Sequence, residues 1–149
     1  MKIKELNKEG RVTFLRIDEE GLRKVPMFEQ TVQCGFPSPA DDFLDLDINL
    51  NDYLVKHKSA TFCVRVNGNS MEDAGIQSGD ILIVDRAEEK KDNSIVLAVI
   101  DNEFTVKRIK KSGEKLFLNP ANENYQPIEI TKDMNFQIWG LVTFVIHEL

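Results

Sequence analysis

Between Thr61 and Ile146 the apolar residues come in short runs, and each run is closed by a turn signal. Phe62, Val64 and Val66 alternate with Cys63, Arg65 and Asn67, the two-residue period of a strand. Asn67-Gly68-Asn69-Ser70 breaks that run, and Gly75 and Gly79-Asp80 precede the next, Ile81-Leu82-Ile83-Val84. Ile95 to Ile100 is a further apolar strand, Asp101-Asn102-Glu103 marks a hairpin turn, and Phe104-Thr105-Val106-Lys107-Arg108-Ile109 alternates again. Leu116-Phe117-Leu118 and the long run Phe136 to Ile146 complete a mainly β domain. Ahead of it, Asn49 or Asn51 can cap a short helix running toward Lys56, with Leu50 and Leu54 on one face.

At 149 residues the chain suffices for one domain with one core, or for a small domain carrying a long arm. The first 34 residues read as the arm, mixing short apolar pieces such as Val12-Thr13-Phe14-Leu15 with charged stretches and showing no sustained period. Gly35-Phe36-Pro37-Ser38-Pro39-Ala40 follows as a Pro-rich joint, expected to be extended and exposed. The net charge is -6; the arm, with seven Lys and Arg against six Asp and Glu, holds about +1, which leaves about -7 on residues 35–149. That balance argues against a domain that grips nucleic acid through phosphates, and no sequence-specific DNA binding is expected. A protein partner or a small substrate fits better. The 42% hydrophobic and 30% charged content excludes disordered, collagen-like and coiled-coil chains. Cys34 and Cys63 are too few for a disulfide scaffold and suit reduced cytosolic thiols. Charges at Lys2, Lys4, Glu5, Lys8, Glu9 and Arg11 leave no signal-peptide core, and no window approaches the roughly 18 apolar residues of a membrane span. The expected setting is the cytoplasm, without a membrane.

Several patterns that suggest other chemistry fail on their details. Asp45-x-Asp47-x-Asn49 begins like a calcium loop, but the sixth position is Leu50 instead of Gly and the twelfth is Lys56 instead of Glu. His57 and His147 have no metal-ligand spacing with either cysteine, so neither a metal nor a cofactor is expected. Lys107-Arg108-Ile109-Lys110-Lys111 is basic, yet strand alternation puts Lys107 with Thr105 and Ile109, opposite Arg108. Trp139, inside an apolar run, reads as core.

Gly68-Asn69-Ser70-Met71 carries more. A serine directly after a strand and a Gly turn can present its hydroxyl, and the turn N–H groups, to a substrate carbonyl. Such a serine needs a base. Neither histidine has local support for that role, but Lys107, within an apolar strand, is a candidate. To accept a proton it must be neutral, so its pKa has to fall from about 10.4 to near 7 or 8, at a cost of about 4 kcal/mol against the ammonium. Desolvation by Phe104, Val106 and Ile109 can supply this if the side chain points inward.

Taken in order, Val32-Gln33-Cys34-Gly35-Phe36-Pro37-Ser38-Pro39-Ala40, Ser59-Ala60-Thr61, Gly68-Asn69-Ser70-Met71, Gly79-Asp80-Ile81-Leu82-Ile83-Val84-Asp85 and Glu103-Phe104-Thr105-Val106-Lys107 closely resemble the LexA-like self-cleaving Ser–Lys peptidases, and among them the UmuD-type SOS mutagenesis proteins. The resemblance runs from Pro26 to the C-terminus. It implies a LexA/signal-peptidase-like β domain with an extended N-terminal arm, acting as a homodimer. It implies cleavage between Cys34 and Gly35, with Ser70 as nucleophile, Lys107 as general base, and the backbone N–H groups of Asn69 and Ser70 as oxyanion hole. It further implies stimulation by a RecA filament on single-stranded DNA, and a processed form, Gly35 to Leu149, that joins the catalytic subunit of a translesion DNA polymerase. Met1 to Val25 do not match the family arm and make it longer.

The residues agree with that scheme in their own terms. A small Cys followed by Gly lets a backbone approach a nucleophile, and Thr31 to Phe36 can dock as an added strand. About 15 residues separate Cys34 from the first compact segment, a reach of up to about 50 Å, so the arm cut can be the chain's own or a dimer partner's. The rivals are a non-catalytic interaction module, a LexA-like repressor fragment, and a thiol nucleophile at Cys34 paired with His57 or His147. The repressor needs a helix-turn-helix pair that 34 arm residues do not offer. Signal peptidases share the chemistry but need a membrane anchor.

Overall fold

The computed structural model describes residues 2–9, 12–18, 24–28 and 45–149, with side chains described for Leu15 and from Ile48 onward. The elements in chain order are β1 (Lys2–Glu9), β2 (Val12–Asp18), β3 (Lys24–Phe28), β4 (Asp45–Asn49), α1 (Leu50–Leu54), β5 (Thr61–Val66), β6 (Ile81–Asp85), β7 (Ile95–Ile100), β8 (Glu103–Ser112), β9 (Lys115–Asn119), β10 (Ile128–Ile130) and β11 (Phe136–Ile146). Single 3-10 turns lie at Lys58–Ala60 and Glu72–Ala74. The protein is mainly β, as the alternation of the sequence requires. Among the described residues no helix is long and apolar enough to cross a membrane.

Nine strands form one antiparallel sheet in the order β1-β2-β5-β6-β11-β7-β8-β9-β10, and β3 pairs with β4 in a second. The β7–β8 connection is a tight hairpin in which Asp101 (φ 47) and Asn102 (φ 68) both take the left-handed conformation that a two-residue loop demands. Asn49, one of the two expected caps, accepts from the N–H of Asn51 at 3.0 Å and starts α1, which stops at Leu54, short of Lys56. β11 lies between β6 and β7 and shifts register twice, between Ile138 and Gly140 and between Val142 and Phe144. Such bulges bend a strand and raise its twist. Gly140 is required there: a Cβ would stand 2.6 Å from Val84 Cγ1 and 3.0 Å from the Asp85 carbonyl oxygen.

The first 34 residues depart from expectation, because β1, β2 and β3 all lie within them. β1 bulges between Glu5 and Asn7, which breaks the two-residue period a sequence reader looks for. What orders the hairpin is a distant partner: β2 pairs with β5 from Val12↔Val66 to Leu15↔Cys63, and Leu15 is buried with Cys63 and Ile83. The acidic run Asp45–Asn49 is likewise a strand, paired with Lys24–Phe28. The Pro-rich joint lies outside the described residues.

Candidate active site

Ser70 stands on the excursion between β5 and β6. That excursion is pinched at its base, where the N–H of Gly79 donates to Val66 O (2.7 Å) and the N–H of Val66 donates to Asp80 O (3.0 Å). Gly68 (φ 110) takes the conformation that turns the chain back, and its N–H donates to Ser78 Oγ at 3.1 Å. Met71 and Ile76, both nearly fully buried, peg the loop into the largest core cluster on either side of the turn. The serine is thus carried by a loop whose two apolar anchors leave it little freedom.

Lys107 comes from β8, where it shares a face with Thr105 and Ile109 and sits across from Val96. Only 8% of it is exposed. Its Nζ lies 2.8 Å from Ser70 Oγ, 2.7 Å from Thr105 Oγ1 and 3.1 Å from Val106 O. This set of partners suits a neutral amine as well as an ammonium. A neutral amine has two N–H bonds, which the carbonyl of Val106 and the hydroxyl of Thr105 can accept, and one lone pair, which then faces the Ser70 hydroxyl.

The expected oxyanion-hole residues, Asn69 and Ser70, have backbone N–H groups that donate to no other group among the described residues. The carbonyl and side chain of Asn69 are engaged: Asn122 Nδ2 donates to Asn69 O at 2.8 Å, and the Tyr125 hydroxyl donates to Asn69 Oδ1 at 2.5 Å. Two cavities flank the serine. One of about 50 Å³, between Val66, Met71, Ile76 and Lys107, has room for a small side chain. The other, of about 820 Å³, opens along Ile100, Phe104, Tyr125 and Ile128 and is large enough for a stretch of peptide.

The structure therefore brings Ser70, Lys107 and Asn69 together. Cys34 and Gly35 lie outside the described residues. His57 and His147, the partners of the thiol alternative, each place Nδ1 against a buried carboxylate, Asp85 at 2.7 Å and Asp80 at 2.6 Å. His57, Asp85 and Glu88 are close enough to one another to share a cation, an arrangement that exposed acidic groups often show without one. Two further members of the basic run are occupied locally: Arg108 donates to Asn93 O at 2.8 Å and Lys110 to Asn93 Oδ1 at 3.1 Å. Trp139 packs edge-on against Phe104 with centroids 4.9 Å apart. Thr105, Asn122 and Tyr125 are site residues that the sequence reading did not single out. Thr105 was within reach of that reading, because it shares the face of Lys107. The other two meet Asn69 across more than 50 residues of chain, and no local pattern marks them.

A serine hydroxyl hydrogen-bonded to a buried lysine amine at the mouth of a peptide-sized cleft suits a serine hydrolase. Residues 26–143 match the Peptidase S24-like family, and the chain belongs to that family of serine peptidases and self-cleaving hydrolases. It is 43% identical to Protein ImpA of Salmonella typhimurium over 122 residues, 82% of this chain and 83% of that one. It is 41% identical to Protein MucA of Escherichia coli over 128 residues (85% and 87%) and 42% identical to Protein SamA of Salmonella typhimurium strain LT2 over 125 residues (83% and 85%). These relatives are UmuD-family proteins, and the chain is a UmuD-like SOS mutagenesis protein.

Proposed function

We propose that the chain cleaves itself between Cys34 and Gly35, with Ser70 as nucleophile and Lys107 as general base. The observation that carries this reading is the 2.8 Å contact between Lys107 Nζ and Ser70 Oγ at a lysine only 8% exposed. The neutral amine takes the Ser70 proton as Oγ bonds to the Cys34 carbonyl carbon, and the carbonyl electrons move onto oxygen, toward the N–H groups of Asn69 and Ser70. Collapse breaks the bond to Gly35 nitrogen, which leaves with the proton held by Lys107. Water then attacks the acyl-enzyme, gives its proton to Lys107, and releases the Cys34 carboxylate as Ser70 recovers its hydrogen. The product, Gly35 to Leu149, acts as a homodimer in the cytoplasm and serves a translesion DNA polymerase, and a RecA filament on single-stranded DNA stimulates the cut. The acidic charge of the product supports action through proteins that themselves hold DNA.

Incubation of the purified full chain from pH 7 to 10 tests the chemistry. The cleavage rate is expected to rise with pH as neutral Lys107 accumulates, and the shorter band should begin at Gly35. Ser70→Ala and Lys107→Ala should each lower the rate by at least about 10³-fold. Cleavage that survives Ser70→Ala refutes the mechanism, and a rate independent of pH refutes the role of Lys107. Unchanged cleavage in Cys34→Ala excludes the thiol alternative. Pull-down of a polymerase subunit by processed but not intact protein tests the partner.

A further inference from the structure

Ser70 is held from outside its own loop. β9 ends at Asn119, and the chain turns through residues 120–127 before β10. Along that turn the N–H of Ala121 donates to Ser70 O at 2.7 Å, and the N–H of Asp73 donates to Ala121 O at 2.7 Å. Asn122 and Tyr125 add the two side-chain bonds to Asn69 described above. The turn is braced in its own right, because Asn122 Oδ1 accepts from the N–H of Asn124 at 2.9 Å and the N–H of Tyr125 donates to Asn122 O at 3.1 Å. Asn122 is 9% exposed, and its amide spends one end on the turn and the other on Asn69.

The consequence follows from the planarity of the peptide bond. In a trans peptide the carbonyl of one residue and the N–H of the next point in opposite directions across one plane. Asn69 O is fixed by Asn122 Nδ2 at 2.8 Å and by the N–H of Glu72 at 3.2 Å, so the Ser70 N–H is aimed the other way. Ser70 O is fixed by Ala121, which sets the plane on the far side of the serine. The Tyr125 hydroxyl holds the Asn69 side chain at its amide oxygen.

We infer that Asn122 and Tyr125 are positioning residues for the serine loop, orienting the Asn69–Ser70 peptide so that its N–H meets the oxygen that gains charge during the cut. The inference rests on Ser70 being the nucleophile. Loss of one oxyanion donor costs about 10²–10³-fold in rate, and a misaimed one less. Asn122→Ala is therefore expected to lower self-cleavage about 10- to 100-fold, and Tyr125→Phe, which keeps the ring, about 3- to 10-fold.

The test is the first-order cleavage rate of the full chain across pH 7–10, with the thermal midpoint of each variant measured alongside. Both variants should lower the rate at every pH while keeping the pH midpoint of the wild type, because neither residue is among the contacts of Lys107 with Ser70, Thr105 and Val106. A second readout is labelling of Ser70 by a fluorophosphonate, followed by intact mass: the Oγ–P bond forms, fluoride leaves and Lys107 takes the serine proton. The phosphoryl oxygen needs the same N–H groups, so labelling should slow in the same order. Rates within twofold of wild type in both variants overturn the inference. So does a loss that disappears at a temperature where each variant is fully folded, since that is the mark of a merely structural role. A wild type that labels at Ser70 but does not cleave refutes self-cleavage, and the variants' labelling rates then decide the positioning role alone. A wild type that neither cleaves nor labels, although folded, overturns both.

Discussion

Alkaline conditions speed the proposed reaction, and the structure sets an upper bound on how far that can be exploited. Cys63 lies fully buried on β5 against Leu15 and Ile83, and burial pushes its thiol up from 9.0 to about 11. In the unfolded chain the same thiol ionises near its ordinary value. Between pH 9 and 11 the unfolded state has therefore lost a proton that the folded state keeps, and raising the pH favours unfolding. The contribution is fully present below about pH 9 and is lost as pH rises toward 11. The limiting loss is about 3 kcal/mol, of which about 1.4 kcal/mol is gone by pH 10. Against a total stability of about 5–15 kcal/mol, that is enough to unfold a measurable fraction of a weak variant.

Urea melts at pH 7 and pH 10 measure the effect in two proteins that both carry Ser70→Ala, so that Leu15 stays in place at alkaline pH: one with Cys63 and one with Cys63→Ala. The substitution has its own packing cost at pH 7, so the informative quantity is the loss from pH 7 to 10 within each protein. Cys34 is present in both and cancels. The protein with Cys63 should lose about 1.4 kcal/mol more than the one with Cys63→Ala over that interval. Equal losses in the two proteins refute the argument. The same melts supply the folded fraction by which every alkaline cleavage rate must be divided before it is read as titration of Lys107.

Two further outcomes follow from the fold. Gly140→Ala places a methyl against the fully buried Val84 and the Asp85 carbonyl, and should cost about 1–3 kcal/mol by urea melt with an unchanged slope; a loss under about 0.5 kcal/mol refutes the close approach. Asp85 is pushed up by burial, but the bonds from His57 and from the N–H groups of Ala87 and Glu88 outweigh this and hold its carboxyl below the ordinary value of 3.8. Its stabilisation is present above about pH 4 and is lost as pH falls through the lower folded value, so thermal melts should fall more steeply in acid for wild type than for Asp85→Asn; parallel curves count against it.

The strands from Phe62 to Ile146, apart from β10, were legible because each has a buried face and a turn residue at its end, and both leave local marks; β10 is three residues long with none fully buried, and nothing local announces it. Lys107 was legible for the same reason: alternation alone separates it from Arg108 and puts it with Thr105. The hairpin of β1 and β2 was not, since its bulge breaks the period and its order comes from pairing with β5, some fifty residues away. β3 and β4 were hidden similarly: five residues each, one of them acidic, paired only with one another. Cys63 shows the limit of alternation in another way. It should face away from the core that Phe62, Val64 and Val66 enter, yet it is fully buried, because Leu15 and Ile83 build a second cluster on the other face. Asn122 and Tyr125 were invisible because polar residues in a turn carry no periodicity.

What joins Ser70 to Lys107 is the coiling of the sheet. The serine loop leaves β5 and the lysine stands on β8, and three strands, β6, β11 and β7, lie between them. In a flat sheet that separation is about 19 Å, at about 4.8 Å per strand. A loop that turns back at Gly68 and one lysine side chain do not close such a gap. Yet Val64 and Val66 of β5 share one core cluster with Leu82 and Val84 of β6, Leu97 of β7 and Val106 of β8, so the sheet wraps around that cluster and carries its distant strands toward each other. β11, in the middle of the set, has the two bulges that bend it, and Gly140 allows it to sit tight against β6 where it bends. On this view β11, which carries neither residue, helps to set the distance between Ser70 and Lys107. Folded Gly140→Ala should accordingly cleave more slowly than wild type at equal folded fraction, although the substitution touches none of Ser70, Lys107, Asn122 or Tyr125. An unchanged rate per folded molecule would mean that the loop, and not the sheet, sets that distance.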